Sequence, residues 1–330
     1  MKNNELVIVL LLNFNQNDYT LKCIESLLQS DYRNFMILLL DNGSTKENVN
    51  ELCERLPKND KLYFHSLDDN IGYARGSNYA MKFAKRFNPK YFLLMNNDTI
   101  IDNKAITELV NTCKSFDNKA RVTGKVYHYD DPQRLQFIAF KKLKGRDVAY
   151  ERIGYNEIDE GQFDNLKELE MMDDIFVLQP VTLFDLIGGY SPYLWVNGVN
   201  IDISLRAINE GYKLAFNPRA KLWHKGSVSI GGRNMNPKLA YLNIHSKLIL
   251  RYMHLSKINF LRFYFKLFFN DVLRTCFKAA YYKLINKDDL RKYAGAKIKA
   301  VLDFNRWIFD RGYDPESQAT IIPPKNRAVN

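Results

Sequence analysis

Asn96-Asn97-Asp98-Thr99 follows directly on the apolar run Tyr91-Phe92-Leu93-Leu94-Met95. Five apolar residues are too few for an ordinary helix and predict a buried strand. A single carboxylate at the carboxyl end of such a strand stands where open α/β sheets bind their ligands. Asp98 would be a hard oxygen ligand there, suited to a divalent cation that carries a diphosphate. The same residue could equally do no more than cap a turn. The neighbouring segments have to separate the two.

Two more polar clusters follow apolar runs. Asp41-Asn42-Gly43-Ser44-Thr45 closes the run 35–40 and leads into a helical pattern. Asp41 could accept hydrogen bonds from a base or ribose, and Gly43 allows a tight turn near a ligand. An ordinary strand-to-helix turn, N-capped by Ser44 or Thr45, is the alternative. Asn70-Ile71-Gly72-Tyr73-Ala74-Arg75-Gly76-Ser77-Asn78 opens another helix. Helix-terminal amides and one arginine make a diphosphate cradle. A solvated Arg75 would be a mild misfit, because a cation in the first turn opposes the helix dipole. The spacing matches neither the Gly-rich dinucleotide fingerprint nor the P-loop, which disfavours dinucleotide oxidoreductases and NTPases.

The elements that must position these residues read as strands over 6–12, 35–40, 61–66 and 91–95, alternating with helices over 18–28, 48–56 and 72–87. That alternation predicts an α/β fold, a mostly parallel central sheet with helices on both faces. Residues 127–170 are polar and irregular, and 176–186 are apolar, ending at Gly188-Gly189. A short helix over 203–210 is closed by Gly211. From Pro237 onward the pattern is helical and basic. At 330 residues the chain fits one large α/β unit with a helical appendage. The expected division is 1–232, with a nucleotide-binding half to about residue 100 and an acceptor-binding half beyond it, and 233–330.

A hydrophobic fraction of 46% suffices for a sizeable core. Cys23, Cys53, Cys113 and Cys276 show no metal-binding spacing and read as reduced thiols of a cytoplasmic protein. The apolar run within residues 2–12 is too brief for a signal peptide, and none reaches the roughly 18 to 20 residues of a membrane span. The net charge of +11 is uneven. From Arg233 to the end, 19 Lys and Arg face 7 Asp and Glu, a surplus of +12, which leaves −1 for residues 1–232. This argues against a nucleic-acid binder and for one localised anionic partner.

Five segments occur in a recognisable order: Leu11-Leu12-Asn13-Phe14-Asn15, Leu40-Asp41-Asn42-Gly43-Ser44-Thr45, Asn70 to Gly76, Asn96 to Thr99, and His224-Lys225-Gly226-Ser227. In this order the chain resembles the inverting family 2 glycosyltransferases of GT-A fold, and most of all their rhamnosyltransferase-like branch, over roughly residues 5–250. The resemblance implies a nucleotide-sugar donor (a dTDP- or UDP-sugar), a glycan or glycolipid acceptor, and inversion at the anomeric carbon. It implies that Asn13, Asn15, Asp41, Asn70, Gly72, Arg75, Asn96 and Asn97 line the donor. Asn96 and Asp98 occupy the two ends of the family's D-x-D-type motif, so that Asp98 holds Mn2+ or Mg2+, with His224 completing the site. His224 could instead be a structural histidine bonded to backbone.

One departure bears on catalysis. The family carries an acidic pair whose second member is the general base, and the pair reads here Val199-Asn200. A neutral amide takes no proton at physiological pH. Asp202 is the nearest substitute, with a helix-dipole role as its alternative. Asp173 and Asp174, where the family has small residues, could supply the carboxylate from the facing strand, and pairing would raise one pKa. A catalytically degenerate member, binding nucleotide sugar or scaffolding glycan assembly, is the competing expectation.

In the C-terminal region, residues 258–269 are dense in Phe, Leu and Tyr, while Arg262, Lys266, Arg274 and Lys278 recur at multiples of four. Such a helix could lie in the bilayer interface against anionic lipid, and the resemblance adds that family members commonly extend lipid-linked sugars at the inner face of the cytoplasmic membrane. Tyr281, Tyr282, Trp307 and Tyr313 fit that setting. A core-packing helix with a solvated face, or a homodimer interface, are the other readings.

Overall fold

The computed structural model describes residues 5–142, 150–194, 197–226 and 236–310; Ser227 and Tyr313 lie outside them. The chain begins β1 (Val7–Asn13), α1 (Asn17–Leu28), β2 (Phe35–Asn42), α2 (Lys46–Arg55), β3 (Leu62–Leu67), α3 (Tyr73–Ala84) and β4 (Tyr91–Asn96). It continues β5 (Thr99–Ile101), α4 (Ala105–Ser115), β6 (Ala120–His128), β7 (Leu135–Phe137), β8 (Ala139–Lys142) and β9 (Tyr150–Ile153). Then follow β10 (Phe176–Pro180), α5 (Val181–Ile187), α6 (Val199–Asn209) and β11 (Lys213–His224). Four helices close it: α7 (Pro237–His254), α8 (Lys257–Leu267), α9 (Arg274–Leu284) and α10 (Asp288–Asp310), with a π-helical turn at Phe268–Leu273.

The main sheet runs β3-β2-β1-β4-β10-β6-β11-β5, with β7 paired to β6. Strands β3, β2, β1 and β4 are parallel, as the strand-helix alternation predicts. Strand β10 enters antiparallel between β4 and β6, and β11 runs parallel to β6. The sheet is therefore mixed. The inserted strand follows from a turn that no helix spans: the apolar run 176–186 divides at Pro180, where extended backbone passes into α5.

Alternation along β1 sets the two sides of the core. Val7, Val9 and Leu11 pack with Ile24 of α1 and Leu109 of α4, whereas Ile8 and Leu10 pack with Met81 of α3 and Ile203 of α6. The second side also takes up Leu248, Phe260, Leu267, Phe304 and Trp307. The C-terminal helices thus share a core with the sheet and have no separate core of their own among the described residues.

Because β1, β2, β3, β4, β6 and β11 share one direction, their carboxyl ends lie on one edge of the sheet, together with the amino end of β10. The clusters at Asn13, Asp41, Asp98 and His224 sit on that edge. Gly43 is required there. Its φ is +78°, and a Cβ would stand 2.2 Å from the carbonyl carbon of Asp69 and 2.3 Å from the amide of Asn70. The β2 loop and the loop before α3 therefore touch backbone to backbone.

Candidate functional site

The tips of β1, β2 and β4 are joined by a buried polar network. Asn13 donates through Nδ2 to Asp41 Oδ2 (2.8 Å), and Asp41 also accepts from the amide (2.8 Å) and hydroxyl (2.6 Å) of Ser44. Asn97 donates to Thr20 Oγ1 (2.7 Å), which donates to Asn13 Oδ1 (2.9 Å). Asn15, at φ +54°, accepts from the amide of Thr45 (3.0 Å) through its side chain. Asp41 is fully buried. In this arrangement it fixes the β1 and β2 loops, and a direct bond from its carboxylate to a base or ribose would require Ser44 to turn aside.

The second loop hangs on a residue that sequence reasoning passed over. Asn42 accepts from the amide of Ile71 (3.3 Å) and donates to Asn70 Oδ1 (3.3 Å) and Gly72 O (3.4 Å). Asn70 Oδ1 accepts from the amide of Gly72 (2.9 Å), whose φ is +84°. This sets the start of α3, where Arg75 lies on the first turn. Arg75 is partly buried and donates to Pro192 O at 3.4 Å. No carboxylate pairs with it among the described residues, and desolvation lowers its pKa. A desolvated cation without an acid is a place for an anion.

Asp98 and His224 meet where β4 and β11 end. Their Oδ1 and Nε2 are 3.2 Å apart. Asp98 Oδ2 accepts from the amide of Gly226 (3.2 Å), and Asn96 Nδ2 is 3.2 Å from the same His224 Nε2. Burial alone would raise the Asp98 carboxyl, but His224 and the backbone amides of Asp98 and Gly226 outweigh it and hold the group below the usual range. Behind the imidazole, Gln136 brackets His224: its Oε1 lies 2.9 Å from Nδ1 and its Nε2 donates to the His224 carbonyl at 2.6 Å. That bracket turns Nε2 toward Asp98, as supporting partners orient metal-bound histidines.

The donor set fits a divalent cation. Two ligands at right angles on one ion, each about 2.1 Å away, stand about 3 Å apart, close to the separation seen. Among the described residues no group of three or more His, Cys, Asp or Glu is placed to hold a metal. An ion there would take its remaining ligands from a bound diphosphate and water, as Mg2+ commonly does.

The structure shows how two of the candidate carboxylates are held. Asp202 is fully buried in α6 and does not face the strand edge with a free oxygen. Its Oδ2 accepts from Arg206 Nη2 (2.6 Å) and Nε (3.0 Å), and its Oδ1 lies 2.8 Å from His254 Nε2 of α7. Against the effect of burial, the charges of Arg206 and His254 hold its carboxyl below the usual range. Asp202 is a clamp between two helices. Asp174 is buried and ion-paired: its Oδ1 accepts from Arg121 Nη2 at 2.7 Å, while its buried Oδ2 has no partner among the described residues. Arg121 also binds Gln179 (3.1 Å) and Ser204 (3.0 Å), tying β6, β10 and α6 together. A lone arginine in an apolar strand carries no sequence signal of such a partner. Arg121→Leu leaves Asp174 a buried, unpaired charge, with an expected loss of about 3–5 kcal/mol in chemical denaturation.

Asp173 differs from both in forming no ion pair among the described residues. One oxygen, Oδ1, accepts from the Asp174 amide at 2.8 Å; its other oxygen has no partner among the described residues. It is half-buried just before β10, where the amide of Asn96 donates to Ile175 O (3.0 Å), Asn200 donates to Met172 O (3.4 Å), and Tyr73 donates to Asp174 O (3.4 Å). Burial, then the charge of Asp174, pushes its pKa up to about 6, while the Asp174 amide, His224 and Arg152 pull the other way.

Residues 8–162 match the family model described as Glycosyl transferase family 2. The chain is similar to the glycosyltransferase GlyG of Streptococcus pneumoniae serotype 4, 27% identical over 156 residues, 47% of this chain and 49% of that protein. It is similar as well to the dTDP-rhamnosyl transferase RfbF of Shigella flexneri, 22% identical over 224 residues, 66% of this chain and 71% of the other. The chain thus spans about half the length of the pneumococcal relative. Among solved structures, a mannosyltransferase of Pyrobaculum calidifontis, in complex with GDP-Man and Mn2+, superposes with a TM-score of 0.51 at 11% identity, covering 94% of this chain and 89% of that one. The shared fold is GT-A.

Proposed function

We propose that this chain, whose residues 8–162 form a glycosyl transferase family 2 domain, moves one sugar from a nucleoside-diphosphate donor to a hydroxyl of a glycan or glycolipid acceptor, with inversion. One observation carries the reading. A desolvated Arg75 with no acidic partner among the described residues, and the bracketed Asp98–His224 pair, share the sheet edge on which the loops of β1, β2 and β4 are locked into one polar network. Such an edge suits a nucleotide along the loops and its diphosphate toward Asp98.

Asp98 and His224 would hold Mn2+ or Mg2+, which, when bound, neutralises charge on the departing diphosphate. The arrangement of Asn13, Asn15, Asp41, Asn42, Asn70 and Gly72 supports a donor seat with little freedom left to lose on binding. Asn96 and Asn97 extend that seat toward Asp98, and Arg75 offers a guanidinium to phosphate oxygens. On the acceptor side we assign the base to Asp173. The acceptor hydroxyl oxygen bonds to the anomeric carbon as that carbon's bond to the phosphate oxygen breaks. The hydroxyl proton passes to the Asp173 oxygen that has no partner among the described residues, and the nucleoside diphosphate leaves. Asn200, next to this carboxylate, positions by hydrogen bonding what the family's acid would deprotonate.

RfbF, named as a dTDP-rhamnosyl transferase, favours dTDP-rhamnose among the donors to try first. The acceptor would be presented at the inner face of the cytoplasmic membrane. Incubating full-length chain with dTDP-rhamnose or a UDP-sugar, an oligosaccharide or glycolipid acceptor and Mn2+ should release nucleoside diphosphate, with the release stopped by a chelator. Donor binding without release under every acceptor condition would make the chain a nucleotide-sugar-binding protein of glycan assembly instead.

A further inference from the structure

The helices α8 and α9, with the π-helical turn between them, carry an apolar face that none of the described residues covers. Ile258, Leu261, Phe265, Phe269, Phe277 and Leu284 are all exposed, from 51% at Leu261 to 82% at Leu284. Their spacing of three, four, four, eight and seven residues keeps them on one side of a helical path about 40 Å long. The opposite side is fixed to the protein: Phe260 and Leu267 are buried in the core with Phe304 and Trp307. Isolated exposed apolar residues are ordinary, whereas six large ones in one stripe mark a surface made for contact.

The flanks say what the contact is. Between residues 255 and 287 the chain has seven Lys and Arg and a single acid, Asp271. Lys257, Arg262, Lys266, Arg274, Lys278 and Lys283 are exposed, and none forms an ion pair among the described residues. Aromatic and aliphatic side chains edged by unpaired cations match a bilayer interface with anionic headgroups. A second copy of the chain would bring its own basic flanks against these and meet like charge. Among the described residues no helix is long and apolar enough to cross a membrane, so the contact would lie in the plane of the surface. We propose that this stripe is an in-plane binding face for anionic lipid.

The stripe begins directly after His254, which is clamped to Asp202 of α6 at 2.8 Å. Lipid docking would thereby hold the helix that carries Asn200 at a set height and tilt over the membrane. The inference goes beyond the transfer reaction and does not depend on it.

The test is sedimentation or flotation of the full chain with vesicles of phosphatidylcholine alone or mixed with phosphatidylglycerol, without donor or acceptor. Wild type should bind the anionic vesicles and not the neutral ones. Phe265→Glu/Phe277→Glu, at exposed positions and with an unchanged melting temperature, should bind at least about tenfold more weakly. Lys266→Ala/Lys278→Ala should weaken binding and its salt dependence together. Equal binding by wild type and the Glu variant would overturn the proposal, as would absence of binding to either vesicle. So would a concentration-dependent dimer, lost in the Glu variant, without vesicle binding. None of these outcomes touches the transfer reading, whose own assay can be run with an oligosaccharide acceptor and no vesicles.

Discussion

Asp98→Asn is expected to lower metal-dependent sugar transfer by about a thousandfold, since charge neutralisation at a leaving diphosphate supplies several kcal/mol of the barrier. Asparagine keeps the shape of the side chain and can still accept from the Gly226 amide, the 3.2 Å bond that Asp98 now makes. It removes the charge that a divalent ion requires. If Asp98 were only a turn cap, Asp98→Asn would leave activity near wild type while Asp98→Ala cost stability. Steady-state rates at saturating Mn2+, beside denaturation midpoints of both variants, separate the two roles. His224→Ala should show a smaller loss of the same kind, with a raised requirement for metal.

The second large effect belongs to Asp173→Asn, expected to cost about 10²- to 10⁴-fold in kcat, the range typical of a positioned base. The sign of the pH dependence follows from the group's state. A base must be unprotonated, and burial beside Asp174 places its pKa at about 6. Wild-type kcat/KM should therefore rise with pH through about 6 and level above it. In Asp173→Asn that limb should vanish. Asp202→Asn is the informative comparison. It breaks the links to Arg206 and His254, so stability should fall, while the limb near pH 6 survives. A vanished limb in Asp202→Asn with an intact one in Asp173→Asn would reverse the assignment. The groups that face Asp173 are Asp174 with its partner Arg121, His224, Arg152 and Tyr73.

Much of this site was legible in the residues alone because its parts are local. A buried apolar run followed by Asp, Asn or Gly reports both the strand and the loop at its tip, and β1, β2 and β4 fall within a residue or two of the expected spans. Asp98 and His224, more than a hundred residues apart, were brought together only through the resemblance, and the structure places them 3.2 Å from each other. What the sequence hid is partnership. Asp202, Asp173 and Asp174 look alike as letters, and only the fold shows that Arg206 and His254 hold the first, that Arg121 pairs with the buried third, and that Asp173 is half-buried with no ion pair among the described residues. Asn42 and Gln136 escaped notice for the same reason, since their work is to fix other residues. The mostly parallel sheet was legible, but the antiparallel direction of β10 was not, because the strand is short and belongs to no strand-helix repeat.

The most direct test of the metal-diphosphate site is calorimetric titration of UDP and dTDP into the full chain, with Mn2+ present and with all divalent metal chelated, in wild type and Asp98→Asn. The account predicts tight binding of at least one nucleotide by wild type with Mn2+, lost on chelation and lost in the variant. Equal affinity in all three conditions, or no binding by wild type with Mn2+, would contradict it.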